Sequence, residues 1–239
     1  MSSELDLCKT PLNSWHHDNK GQMIDFGGWE MPVQYAEGIL EEHLAVRKFG
    51  GLFDVSHMGR FRIKGSEKLK FLQYVLTNNA LSLKPWQAQY TLIANETGGA
   101  IDDAYLYRFG EDDYLLVVNA SNRGKVWEHF KAQMHKFKDV QLEDHSKKTG
   151  MIAYQGPLTR KMLTQVIESG TLPDTSRNSL SQVKICGVDI PLARSGYTGE
   201  PLCFELFVPA ESLEIVWCKL FDQGKSLGIK AIGLGARDT

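Results

Sequence analysis

An α+β fold, with helices packed on one face of largely antiparallel sheets, is predicted by two observations. A unit of short strand, small or Pro-containing turn and amphipathic helix recurs four times, and a three-run meander occupies residues 90–119. Helical units mixed with hairpins favour this arrangement over a doubly wound parallel sheet. Four units imply two similar halves, and the seam is placed after the polar run near 147–149, giving regions 1–148 and 149–239.

Residues 38–49 read as a helix ended by Gly50-Gly51. The first unit then joins a strand at 60–64 to a helix at 67–76 behind a Ser66 cap, with Leu69, Leu72, Val75 and Leu76 on one stripe. In the meander, the polar turn Asn95-Glu96-Thr97-Gly98-Gly99 separates apolar runs at 90–94 and 100–109, which is a hairpin signal. Strand alternation places Ile101, Asp103, Tyr105 and Tyr107 on one face and Asp102, Ala104, Leu106 and Arg108 on the other. Asp103 is therefore the carboxylate facing the rings, and Asp102 is expected in solvent. Burying a polar group without a partner costs roughly 2–7 kcal/mol. Asp103 thus either pins the hairpin by accepting bonds from a Tyr hydroxyl or backbone N–H, or belongs to a site. The third run, 114–118, ends in the polar Asn119.

The second unit continues from that run into a helix near 123–137 with Val126, Phe130, Met134 and Phe137 aligned. A third runs from Met151 through Gln155-Gly156 into a helix starting at Pro157, striped by Leu158, Met162, Leu163, Val166 and Ile167 and closed by Gly170. The fourth leads from a strand at 203–208 through Pro209 to a helix carrying Leu213, Val216, Trp217, Leu220 and Phe221. These stripes read as core.

The 239 residues are 42% hydrophobic and 23% charged, ordinary for a globular protein. A net charge of −2 and a pI near 6.4 argue against nucleic-acid binding. The basic stretch 123–148 is interrupted by acids and reads as a solvated helix face. No apolar run approaches the roughly 18 residues of a membrane span, and no signal or transit peptide is written at the N-terminus. A cytoplasmic protein is expected, or a mitochondrial matrix one if a leader was removed. Cys8, Cys186, Cys203 and Cys218 form no Cys-x-x-Cys pair and are expected as buried free thiols. No metal site is written, and His-Glu-x-x-His, Gly-x-Ser-x-Gly and P-loop motifs are missing.

Gly27-Gly28-Trp29-Glu30-Met31-Pro32-Val33-Gln34-Tyr35 looks loop-like, with flexible glycines and exposed aromatics. Asp54, Ser56 and His57 invite a hydrolase triad, yet near neighbours on an extended segment point to alternate sides and cannot align as nucleophile, base and orienter. Arg194-Ser195-Gly196-Tyr197-Thr198-Gly199-Glu200 is turn-rich and precedes a strand carrying Glu205, and the chain closes with Gly233-Leu234-Gly235-Ala236-Arg237-Asp238-Thr239.

Together these segments resemble the aminomethyltransferase, or T-protein, family of the glycine cleavage system. The resemblance runs from Thr10-Pro11-Leu12 to the last residue and also includes Val46-Arg47, residues 53–59, Asn95-Glu96, Gly98-Gly99, Asp102-Asp103 and Gln155-Gly156-Pro157. It implies two ferredoxin-like-type halves that bind folate, with the family's last β domain absent from this chain. It also implies transfer of an aminomethyl carbon from the lipoyl arm of H-protein to tetrahydrofolate, releasing ammonia and forming 5,10-methylenetetrahydrofolate without a metal. Asp103 matches the family's essential carboxylate. Met58, Tyr90, Tyr107, Asn119, Glu205 and Arg237 match folate-pocket positions, with Glu205 expected at the pterin. The segment Asn13-Ser14-Trp15-His16-His17 departs from the pattern and reads as a variable loop. The alternatives are a non-catalytic folate-binding relative that assists iron-sulfur protein maturation, a folate-dependent demethylating relative, and an inactive fragment.

Overall fold

The structure, a computed structural model, describes residues 7–196 and 198–239. The elements run α1 (Asn13–Asp18), β1 (Gln22–Phe26), β2 (Trp29–Gln34), α2 (Ile39–Lys48), β3 (Gly51–Asp54), β4 (Gly59–Lys64), α3 (Lys68–Val75) and β5 (Gln87–Ala94). They continue with β6 (Ala100–Phe109), β7 (Asp113–Val118), α4 (Arg123–Met134), β8 (Gln141–Asp144), β9 (Thr149–Gln155), α5 (Thr159–Val166) and β10 (Ser169–Gly170). The last are β11 (Ser179–Ile185), β12 (Val188–Arg194), β13 (Cys203–Pro209), α6 (Leu213–Lys225) and β14 (Lys230–Ala231). No helix among the described residues is long and apolar enough to cross a membrane.

One large sheet carries the molecule, in the order β14-β3-β9-β13-β12-β11-β5-β6-β7-β4-β8, with β10 beside β11 and β1-β2 as a separate hairpin. Its pairs are antiparallel except β14 on β3. This is the α+β arrangement with a single continuous sheet. Its weakest seam is β5 against β11, where the ladder is the Gln87–Ser179 pair flanked by Ala88 N–H to Asn178 O (2.8 Å) and Leu180 N–H to Trp86 O (2.9 Å).

Strand alternation divides most of the apolar residues among three main cores. Phe204, Leu206 and Val208 of β13 turn toward α5 and α6, meeting Leu163, Trp217 and Leu220. Phe61, Leu106 and Leu116 turn toward α3 and α4, meeting Phe71, Leu72 and Phe130. The opposite strand faces meet each other: Tyr105, Tyr107, Leu115 and Val117 from β6 and β7 share a core with Met151, Leu180, Ala193 and Phe207. The Tyr107 and Phe207 rings lie 4.9 Å apart, edge to face.

Several local expectations are corrected. Residues 29–34 are a strand of the β1-β2 hairpin, because Trp29 and Met31 bury under Leu234 while Gly27 and Gly28 make the turn at φ +60° and +85°. Residues 13–18 are a helix that buries Asn13, Trp15 and His16, so one face of this segment belongs to the core. Ser66 does not cap α3; its N–H and hydroxyl both bind Asp139 Oδ2. Gly170 belongs to β10, and Pro157 lies in the turn ahead of α5. Of the four free cysteines only Cys203 is buried.

Candidate active site

The meander builds the first wall. Asp103 Oδ1 accepts from Asn119 Nδ2 at 2.6 Å and Oδ2 from the Tyr90 hydroxyl at 3.2 Å. Loss of solvation and the nearby Asp103 charge push the Tyr90 phenol up, which keeps it a donor. Asp103 is exposed at the mouth of a cavity, while Asp102 is buried, reversing the expected exposures. Asp102 accepts from Asn119 N–H, Asn119 Nδ2 and Asn122 Nδ2, each at 2.8 Å, which satisfies the buried carboxylate and fixes the turn after β7. Ile101 also leaves its expected face: a β-bulge opposite Ile93 and Ala94 turns it into the core beneath α3 and α4.

Met58, Tyr90, Asp103, Tyr105, Tyr107, Asn119 and Glu205 line this cavity. The Tyr90, Tyr105 and Tyr107 rings follow one another at 5.8 Å centroid spacing along its wall. Glu205 lies buried at the inner end and accepts on Oε2 from the Tyr107 hydroxyl at 2.6 Å and from the Ser195 hydroxyl. Burial pushes the Glu205 carboxyl up, and those two donors pull against it. No hydrogen bond among the described residues falls on Oε1.

A second chamber shares Met58 and Glu205 with the first and adds His57, Gln155, Thr198 and Arg237. Arg237 arrives on a 3₁₀ turn, Leu234–Arg237, laid against β2. Gly233 permits this approach, since a Cβ there would sit 2.3 Å from the Val33 carbonyl. Six of the seven residues singled out by sequence line the first cavity, and Arg237 lines the adjoining one.

Asp54, Ser56 and His57 form no triad. Asp54 Oδ2 pairs with His16 Nε2 at 3.1 Å and Oδ1 accepts from Ser56 N–H, while Ser56 Oγ bonds the Met151 backbone. The turn itself is held by Arg60, a fully buried side chain whose guanidinium donates to the carbonyls of Ser56, Met58 and Ser146. Sequence reasoning missed Ser195, Arg60 and Asp102. Ser195 carried a usable signal, lying in the turn-rich segment before the Glu205 strand. Among the described residues no cluster of His, Cys, Asp and Glu could hold a metal ion.

A continuous, largely antiparallel sheet beside a ring-walled cavity, with one carboxylate at its mouth and another at its inner end, defines an α+β protein with a candidate small-molecule site. The GCVT N-terminal domain pattern matches residues 12–239, and the chain belongs to that family. It is 43% identical over 233 residues to an aminomethyltransferase of Chlorobaculum tepidum, covering 98% of this chain and 63% of the relative. An aminomethyltransferase of Thermus thermophilus is 45% identical, over 98% of this chain and 64% of its own length. The crystal structure of glycine cleavage system aminomethyltransferase T from Bartonella henselae superposes with a TM-score of 0.81 at 31% identity, covering 98% of this chain and 61% of that one. A heterotetrameric sarcosine oxidase from Corynebacterium shares the fold alone, at TM-score 0.56 and 13% identity. The chain therefore spans under two thirds of the length of these aminomethyltransferases.

Proposed function

We propose that this chain provides the aminomethyl-transfer site of a glycine cleavage system, taking the aminomethyl carbon from the lipoyl arm of an H-protein to tetrahydrofolate with release of ammonia. The observation that carries the reading is the Asp103 carboxylate, held by Tyr90 and Asn119 at the mouth of a cavity whose inner end is Glu205. The cavity suits a reduced folate: tyrosine rings offer apolar walls, and Oε1 of Glu205, which accepts no bond among the described residues, offers an acceptor to a ring bearing N–H donors. Tetrahydrofolate, when bound, supplies the nitrogen nucleophile. Loss of the thiol from an S-aminomethyl group makes an electron-poor carbon, and Asp103 stabilises that developing positive charge, more strongly once the substrates displace water from the mouth. Holding the two reactants together makes the step effectively unimolecular.

The same reading treats the chain as two similar halves of ferredoxin-like type, divided near 148. Matched strand orders support it: β8-β4-β7-β6-β5 on one side and β14-(β3)-β9-β13-β12-β11 on the other, with β3 as the insertion. The seam is matched as well. Trp86 and Asn178 precede the two seam strands, both are left-handed (φ 60° and 68°), and their N–H groups donate to the carbonyls of Arg108 and Arg194 respectively.

Ammonia release from aminomethylated lipoyl protein, measured with and without tetrahydrofolate, tests the reaction. Folate-dependent release is expected, and Asp103→Asn should lower kcat by at least about a hundredfold with little change in stability. Folate binding without release would favour the iron-sulfur maturation reading, and no binding would favour an inactive fragment. Unchanged turnover in the Asn variant would remove Asp103 from the chemistry.

A further inference from the structure

His57 is a polar side chain that the reaction has not used. It sits in the turn between β3 and β4, 4% exposed, in the wall of the chamber that also holds Glu205 and Arg237. Its Nδ1 is buried without a hydrogen-bond partner among the described residues. Phe26 packs edge-on against the ring at 5.5 Å, which sets the imidazole plane. Burial pushes its pKa down to about 4, with Arg60 and Arg237 acting in the same sense and Asp54 against them, so the ring is neutral at pH 7.

A neutral imidazole carries one N–H. Placing the hydrogen on Nδ1 would bury an orphaned donor, whereas placing it on Nε2 leaves only an unshared lone pair at Nδ1. Orphaned buried N–H groups are the rarer defect. The ring therefore presents Nε2–H as a donor to the chamber. A 2-amino-4-oxo pteridine has along one edge two donors, the amino group and N3–H, followed by one acceptor, the 4-oxo oxygen. Set against those two donors, Glu205 acts in its carboxylate form, which only accepts. Glu205 can pair with the two donors but not with the oxygen beside them, which needs a donor from the same wall. Thr198 is already engaged, its hydroxyl bonded to Gln155 Oε1 at 2.5 Å, and Arg237 is exposed with a contact of its own.

We infer that His57 is a specificity-determining residue that donates from Nε2 to the 4-oxo group of the bound reduced pteridine; this rests on the folate reading above. His57 then discriminates a 4-oxo ring from a 4-amino ring, because a 4-amino group would have to meet a donor or force the imidazole hydrogen onto its buried Nδ1.

The test is calorimetric binding, under anaerobic conditions, of tetrahydrofolate and of tetrahydroaminopterin, its 4-amino analogue, to the wild-type chain, His57→Phe and His57→Gln. The wild type should prefer the 4-oxo ligand by about tenfold or more, the scale of one mismatched buried hydrogen bond. His57→Phe should bring the preference down at least about fivefold, and His57→Gln, which keeps a donor, should restore most of it. Reading the change in preference between proteins cancels any discrimination made by Glu205 at N3. Thermal midpoints identify a variant that fails to fold, and either variant alone still decides the matter: a folded Phe variant with unchanged preference, or a folded Gln variant with none, overturns the assignment. A preference that moves with Gln155→Leu and not with the His57 variants overturns it too. Wild-type protein that binds neither ligand overturns the folate reading itself, a result distinct from the others.

Discussion

At Asp102 and Asp103 one residue of register separates two roles. Alternation correctly turned Asp103 toward Tyr105 and Tyr107, but the burial expected of it belongs to Asp102, because Asn119 and Asn122 arrive from beyond β7 to satisfy that carboxylate. Partners so distant in the chain leave no local mark on a strand pattern. His57 and Asp54 illustrate the thermodynamic side of such burial. His57 has a folded pKa of about 4 against an ordinary 6.5, so between these values the unfolded chain binds the extra proton and stability falls as the pH falls. Asp54, opposed by burial but held at about 2 by His16, Ser56 and Thr10, extends the loss below its ordinary 3.8. Glu42 and Glu205, pushed up by burial, act in the opposite sense, losing stability as the pH rises through their raised values. The stability of wild type relative to His57→Phe in urea unfolding should therefore fall by on the order of 3 kcal/mol as the pH drops from 6.5 to 4. A constant gap would mean that the imidazole is not buried in its neutral form.

At the scale of elements, the helices with apolar stripes and the Tyr90–Asn119 meander were legible because each buries one face by a short-range rule. What escaped were elements defined by contact with distant chain. The residues at 29–34 look like a loop until Leu234 covers them, and α1 looks like a variable loop until Trp15 packs on Trp217 at 5.1 Å. The turn between β3 and β4 depends on such a contact at its centre. Arg60 joins the Ser56 and Met58 carbonyls to Ser146, and its backbone N–H bonds Ser146 Oγ, so one guanidinium ties the turn that presents Met58 and His57 to the end of β8. Burial pushes Arg60 down to about 10, which leaves it charged at neutral pH with carbonyl dipoles as its nearest partners. Arg60→Met removes the charge but strands those buried carbonyls, and a loss of about 3–5 kcal/mol in urea unfolding is expected. Arg60→Lys should recover part of it, since an ammonium still donates but cannot span the same fork. Equal stability of the Met variant and the wild type would show that water replaces the guanidinium.

At the scale of the whole molecule, the sheet's thin seam raises the question of what joins its two sides. The β5-β11 ladder is too short to do so, and the shared core of Tyr105, Tyr107, Phe109, Leu115 and Val117 against Met151, Leu180, Ala193 and Phe207 is the larger bond. That core also floors the cavity: Tyr107 touches Phe207 on one side and donates to Glu205 on the other, so the packing that unites the two sides positions the inner carboxylate. Stability and site geometry are consequently coupled at Phe207. Truncating a buried Phe to Ala costs about 3–5 kcal/mol through lost transfer energy and the residual cavity. Here the gap would open beneath Tyr107, loosening its bond to Glu205. Phe207→Ala should therefore lower the urea midpoint and weaken tetrahydrofolate binding together, while Leu163→Ala, a comparable deletion in the core under α5, should lower the midpoint and leave binding of the folded protein near wild type. If the shared core joins the two sides, tyrosine fluorescence and far-ultraviolet dichroism should report one coincident transition in the wild type. Two separated wild-type transitions would show that the sides fold independently, and unchanged binding in a folded Phe207→Ala would uncouple the core from the site.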